Sequence, residues 1–109
     1  MQGVTKLERL LKKQEFDLVY KTGRRLFSKH FSITFLKSPR KRIGFSISSK
    51  VGGAVVRNRI RRVIREMFRN NIDLFPHGDC VIWAKAGAAK LNRPEIREEI
   101  SALAKNVNK

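Results

Sequence analysis

Acidic residues are few in this chain and unevenly spread. Its 109 residues include nine Asp and Glu against 25 Lys and Arg, and no acid stands between Asp17 and Glu66, a stretch that holds fourteen Lys and Arg. That scarcity argues against a self-sufficient metal-dependent nuclease, because cleavage of a phosphodiester by bound cations normally needs clustered carboxylates. Cysteine is scarcer still. Cys80 stands alone, which rules out an internal disulfide and a thiolate-rich metal site, and in the run Cys80-Val81-Ile82-Trp83-Ala84 it reads as a buried, inert thiol. The two histidines, His30 and His77, have no ligand spacing around them and read as surface or loop residues. No apolar run approaches the roughly 20 residues of a spanning helix. No lipid-facing stripe or apolar signal core is present, the chain opening Met1-Gln2-Gly3-Val4-Thr5-Lys6, so the expected setting is cytoplasmic and without a membrane partner. No repeat, low-complexity tract or linker divides the chain, and residues 1–109 are expected to form a single domain.

What is abundant is positive charge on a foldable sequence. Hydrophobic residues make up 41% and the formal charge is +16. The first figure suffices for a core; the second creates a field that repels other copies and attracts polyanions, nucleic acid foremost. A short basic run is ordinarily a solvated face. A run this long without an acid points to a polyanion site instead.

Periodicity supplies the elements. Phe16, Val19 and Tyr20 share one face of a helix predicted over about Lys13 to Lys21, with Gly23 placed to end it in the left-handed conformation that glycine adopts at least cost. A weak strand is predicted over Arg24 to Ser28, and stronger ones over Phe31 to Leu36 and Ile43 to Ser48. In the latter two, Phe31, Ile33, Phe35 and Ile43, Phe45, Ile47 alternate with Ser32, Thr34, Leu36 and Gly44, Ser46, Ser48. One sheet face is thus expected to carry helices and the other, lined by small residues, to lie open. Ser38-Pro39-Arg40-Lys41 is expected to join the two strands as a hairpin. A second helix runs from Ala54 to about Asn71, and Pro76-His77-Gly78 breaks the chain before the apolar strand Cys80 to Ala84. Asn92, Pro94 and Glu95 then form a capping-box-like start for a last helix with Ile96, Ile100, Leu103 and Val107 on one stripe. The order α-β-β-β-α-β-α reads as a two-layer α/β sandwich.

The second helix carries most of the functional information. At about 100° per residue, Val56, Ile60, Val63 and Met67 make a narrow apolar stripe that Ile64 and Phe68 broaden. Asn58, Arg61, Arg62, Arg65 and Arg69 occupy the opposite side, flanked by Arg57 and Arg59. Glu66 is the only acid available within the helix, so i, i+4 ion pairs do not account for the array. Phosphates would neutralise it, and the planar arginine fork suits them. Gly52 and Gly53 let the chain turn before the helix, whose free N–H groups could meet an anion; a plain structural turn explains them equally well. Three competing classes are weighed on these residues: an autonomous nuclease, poorly supported for want of acids in the basic half; a ribosomal or other structural RNA-binding protein, which composition alone does not separate; and a DNA-binding protein with this helix in a major groove.

The run from Lys50 to Arg65 resembles the signature of the ribonuclease P protein family, Lys-x-Gly-x-Ala-Val-x-Arg-Asn-Arg followed by spaced basic residues. Lys50, Gly52, Ala54, Val55, Arg57, Asn58, Arg59, Arg62 and Arg65 fall on it, and Arg61 stands where lysine is common. The Phe16-x-x-Val19-Tyr20 helix before a basic strand, the expected hairpin ending at Ser48-Ser49-Lys50 and the late apolar strand are also similar to that family. The resemblance implies a four-stranded mixed sheet with a left-handed β-α-β crossover, against the usual rule of hand. It implies a catalytic RNA with Mg²⁺ as the catalyst, the protein binding no cofactor alone and supplying no catalytic residue. The expected partners are that RNA, one per protein, and precursor tRNA. Lys50, Arg57, Asn58, Arg59, Arg61, Arg62, Arg65 and Arg69 are the expected contacts to the RNA. A cleft of Phe16, Tyr20, Lys21, Arg24, Arg25, Thr34, Ser46 and Ser48 is expected to take the single-stranded 5′ leader, with the two aromatics as stacking platforms. Each of those two aromatics also fits ordinary core packing. Thr34 stands where the family often places an aromatic.

Overall fold

The computed structural model describes residues 13–107. Helix α1 spans Lys13–Thr22, followed by strands β1 (Arg24–Phe27), β2 (Phe31–Lys37) and β3 (Lys41–Ser46). Helix α2 spans Ala54–Asn70, β4 Gly78–Ala84 and α3 Arg93–Val107, with 3-10 turns at Ile72–Leu74 and Ala86–Lys90. The four strands form one mixed sheet in the order β1-β2-β4-β3, with β4 antiparallel to β2 and parallel to β3.

That order corrects the expected hairpin. β2 and β3 are not neighbours; β4 lies between them, pairing Phe35 with Cys80 on one side and Ile43 with Cys80 on the other. The reason is burial. Gly78 through Ile82 are all buried, and a strand without a polar face is best placed centrally. Ser38–Arg40 therefore bridges over the end of β4, and α2 is the crossover that returns the chain from β3 to β4. The third strand also stops at Ser46, short of the expected Ser48, while the fourth begins at Gly78 rather than Cys80.

The main core lies on the face of Phe31, Ile33, Ile43, Cys80 and Ile82, against Ile60, Val63, Ile64, Met67 and Phe68 of α2 and Ile96, Ile100, Leu103 and Val107 of α3. Truncating one of these large aliphatics to alanine typically costs about 2–5 kcal/mol. Helix α3 starts as its sequence predicts: Asn92 N–H donates to Glu95 Oε1 at 2.8 Å and Glu95 N–H to Asn92 Oδ1 at 2.9 Å. Gly23 does end α1, its N–H donating to Val19 O at 2.7 Å, but it does so outside the left-handed region, positive φ being found at Gly52 and Gly78. Its small size is what the site demands, since a Cβ there would press on the carbonyls of Val19 and Phe35.

The opposite sheet face is not fully open. Val19 of α1 is buried on Val81, with Leu36 and Trp83 packed around the pair. A second tie fixes the far end of α1: Arg42 donates from Nε and Nη2 to the two oxygens of Asp79, both at 2.8 Å, and from Nη1 to Glu15 Oε2 at 2.6 Å. Bonding to Asp79 holds the half-buried guanidinium firmly in its charged form. Helix α1 thus leaves only part of that face accessible.

Candidate nucleic-acid interface

The accessible part is a cleft of about 210 Å³ lined by Tyr20 of α1, Arg25 and Phe27 of β1, Ser32 and Thr34 of β2, and Trp83 of β4. Strand register explains the set. Arg25 pairs with Thr34 and Phe27 with Ser32, while Ser32 pairs with Trp83, so all five point to one face. Tyr20 is 51% exposed and Phe27 66% exposed, unusual for rings of that size. The Tyr20 and Trp83 ring centroids lie 5.7 Å apart at 51°, and the Arg25 guanidinium sits 4.0 Å from the centre of the Tyr20 ring. Lys85 Nζ lies 6.0 Å from the centre of the Phe27 ring. Aromatic faces bordered by cations are the chemistry that stacks unpaired bases and neutralises their phosphates.

The structure sorts the expected cleft residues. Tyr20, Arg25 and Thr34 line it, Thr34 being only 1% exposed beneath Trp83. Ser46 is in register with Trp83 at the edge of the same face but does not line the cleft. Arg24 pairs with Phe35 and so belongs to the other face. Lys21 lies with Gln14, Asp17 and Leu18 on another side of α1, and Ser48 lies beyond the end of β3, where its Oγ accepts from Lys50 N–H at 3.2 Å. Phe16 belongs to α1, but its side chain lies outside the described residues. Trp83 and Phe27 were not foreseen. Their signal was present as alternation, Val81 and Trp83 facing away from Cys80, Ile82 and Ala84, but a run of consecutive apolar residues hides that period.

The basic helix shows the expected division, with Ile60, Val63, Ile64, Met67 and Phe68 buried. Lys50, Asn58, Arg62 and Arg69 are exposed. Arg61 Nη1 donates to Asn58 Oδ1 at 3.0 Å, and the Arg65 guanidinium lies 5.7 Å from the centre of the Phe45 ring. Two arginines are turned inward. Arg57 Nε donates to Gly52 O at 3.1 Å, and Arg59 donates from Nη1 to Leu91 O at 2.8 Å and from Nη2 to Ala89 O at 3.0 Å. These bonds to the protein's own backbone use one of the five N–H donors of Arg57 and two of those of Arg59, and fix how each side chain lies.

His30 lies in the loop between β1 and β2, as expected, but it is tied down there. It is half-buried, its Nδ1 lies 2.9 Å from Glu99 Oε1, its N–H donates to Glu99 Oε2 at 2.6 Å, and Ser28 Oγ also donates to that oxygen. Burial pushes the Glu99 carboxyl up, but the bonds from Ser28 and His30 outweigh it and hold the group below its ordinary value. The cluster ties the β1–β2 turn to α3 and so fixes the strand that carries Arg25 and Phe27. No helix among the described residues is long and apolar enough to cross a membrane.

Comparison with known proteins agrees with this geometry. The profile of the family described as ribonuclease P matches residues 4–108. The ribonuclease P protein component of Syntrophus aciditrophicus is 38% identical over 101 residues, covering 90% of this chain and 85% of the relative, and that of Desulfotalea psychrophila is 41% identical over 92 residues, covering 82% and 77%. Among solved structures, the ribonuclease P protein of Staphylococcus aureus superimposes with a TM-score of 0.87 at 28% identity, covering 94% of this chain and 96% of its own. That of Thermotoga maritima superimposes with a TM-score of 0.82 at 30% identity, covering 91% and 96%.

Proposed function

The chain belongs to the ribonuclease P protein family, and from that premise we propose that it is the protein subunit of an RNA-based endoribonuclease that removes 5′ leaders from precursor tRNAs. The observation that carries the reading is the pairing of two surfaces on opposite sides of one sheet. Helix α2 packs on one face and turns Asn58, Arg62 and Arg69 outward; the cleft of Tyr20, Arg25, Phe27 and Trp83 opens on the other. The first surface grips the catalytic RNA through its phosphates, with Lys50, Arg61 and Arg65 beside it. The second takes an extended single strand, bases against the rings and phosphates near Arg25. One protein serves one RNA.

Chemistry belongs to the RNA. Mg²⁺ is held by the RNA and the substrate, and what the basic surfaces of this chain offer them is positive charge. What the protein adds is positioning and charge neutralisation, which lower the repulsion between two polyanions and so the amount of cation they need. Reconstitution with a bacterial ribonuclease P RNA tests the reading. Precursor tRNA should be cleaved at its 5′ leader at low Mg²⁺ with both components present, and not by the nuclease-free protein alone. Specific cleavage without the RNA, or no effect of the protein on the RNA, would overturn it.

A further inference from the structure

We propose that the α2 surface extends onto the start of α3 through a single phosphate site in the concavity between them, shared by Arg62 and Arg93 and built by Arg59. The proposal rests on the reading of the chain as an RNA-binding subunit and adds to its α2 surface a contact from Arg93 of α3 and a positioning role for Arg59. Val55, Asn58, Arg59 and Arg62 of α2 and Arg93 of α3 line a hollow of about 380 Å³. Arg62 and Arg93 are both exposed, and neither has a carboxylate partner among the described residues. Glu95, two residues on from Arg93, accepts the N–H of Asn92 through Oε1 and does not line the hollow. Two arginine forks that face one hollow without an acid repel each other, and a shared phosphate relieves that repulsion while accepting from both. Val55, 84% exposed at the rim, is an apolar surface for the sugar or base that accompanies the phosphate, which favours a nucleic-acid backbone over a free anion.

Arg59 is a positioning residue in this arrangement. Its two bonds reach Ala89 O and Leu91 O, the last residue but one of the 3-10 turn and the residue that follows the turn. Asn92 follows at once, and its reciprocal bonds with Glu95 start α3, whose first residue is Arg93. Arg59 therefore determines where α3 begins relative to α2 and so how far Arg93 stands from Arg62. Its own charge still attracts the phosphate, but one hydrogen on each terminal nitrogen is held by the Ala89 and Leu91 carbonyls, which fixes the orientation of the fork.

The test compares wild type, Arg93→Ala, Arg59→Lys and the double variant, each checked for a native circular-dichroism melt. Salt dependence of affinity is measured separately for the catalytic RNA alone and for precursor tRNA bound to the reconstituted holoenzyme. Arg93→Ala should reduce the log–log slope by about 0.7 to 0.9, one phosphate contact, and the arm in which it does so identifies whose backbone is held. Arg59→Lys keeps the charge but cannot bridge both carbonyls. It should lose the same increment, and the double variant should lose no more than either single one, the mark of a residue acting through its neighbour. An unchanged slope in both arms for folded Arg93→Ala would overturn the site; an unchanged slope for Arg59→Lys would overturn the positioning role. Wild type that binds neither RNA would instead refute the underlying functional reading.

Discussion

The indole Nε1 of Trp83 donates to Thr34 Oγ1 at 3.2 Å, so a ring from β4 lies over the β2 position where an aromatic was missing. The ring covers Thr34 and borders Tyr20, and the cleft has its aromatic wall from the neighbouring strand. Stacking of a base on such a ring contributes about 1–3 kcal/mol. Tyr20→Ala, which removes a half-exposed ring, should therefore weaken precursor tRNA binding by roughly one to two powers of ten and leave mature tRNA unaffected. Trp83→Phe should retain most precursor affinity, while Trp83→Leu should lose affinity to a similar degree as Tyr20→Ala. Titration of both RNAs, with melting curves on each variant, checks this; equal losses for precursor and mature tRNA would remove the cleft from the leader pathway.

Helix α2 should dominate the electrostatic part of RNA binding. Replacing Arg62 and Arg65 together by alanine should lower affinity for the catalytic RNA and flatten its salt dependence by about 1.4 to 1.8 if each meets one phosphate. Arg65 also lies over Phe45, so a thermal melt must accompany the measurement. A folded double variant with the wild-type slope would place the RNA elsewhere.

Acid should loosen the turn that carries Phe27. Because the Glu99 carboxyl is held below its ordinary value near 4.5, its cluster contributes stability that is fully present above that value. The contribution is lost as pH falls through the depressed folded value. Glu99→Gln should be less stable than wild type near neutrality and should show a shallower acid limb, the two curves converging at low pH. Urea midpoints measured from pH 7 downward give the comparison; parallel curves throughout would show that the Glu99 bonds are not what the acid breaks.

Cys80 should be chemically silent in the native protein. Burial pushes its thiol up to about 12, so little thiolate exists at pH 8 and none is accessible. A thiol reagent should label it only after denaturant unfolds the chain, and the labelling rate under native conditions reports global opening. Rapid stoichiometric labelling of the folded protein would contradict its place between β2 and β3.

Local sequence alone determined the helices of this protein and the split character of α2. The apolar stripe of Ile60, Val63 and Met67 and the arginines opposite it follow from 3.6-residue periodicity, and the Asn92–Glu95 box spans three residues. Such features are legible because the interacting groups are neighbours along the chain. The strand order was not, because pairing is decided by which strand can be buried on both faces: β4 displaced the expected hairpin partner, and only then did Trp83 come to lie over Thr34. The same holds for Arg59. Its place in the motif suggested an RNA contact, yet Ala89 and Leu91 lie thirty or more residues away, and only the packing of α3 against α2 brings their carbonyls within reach of its guanidinium.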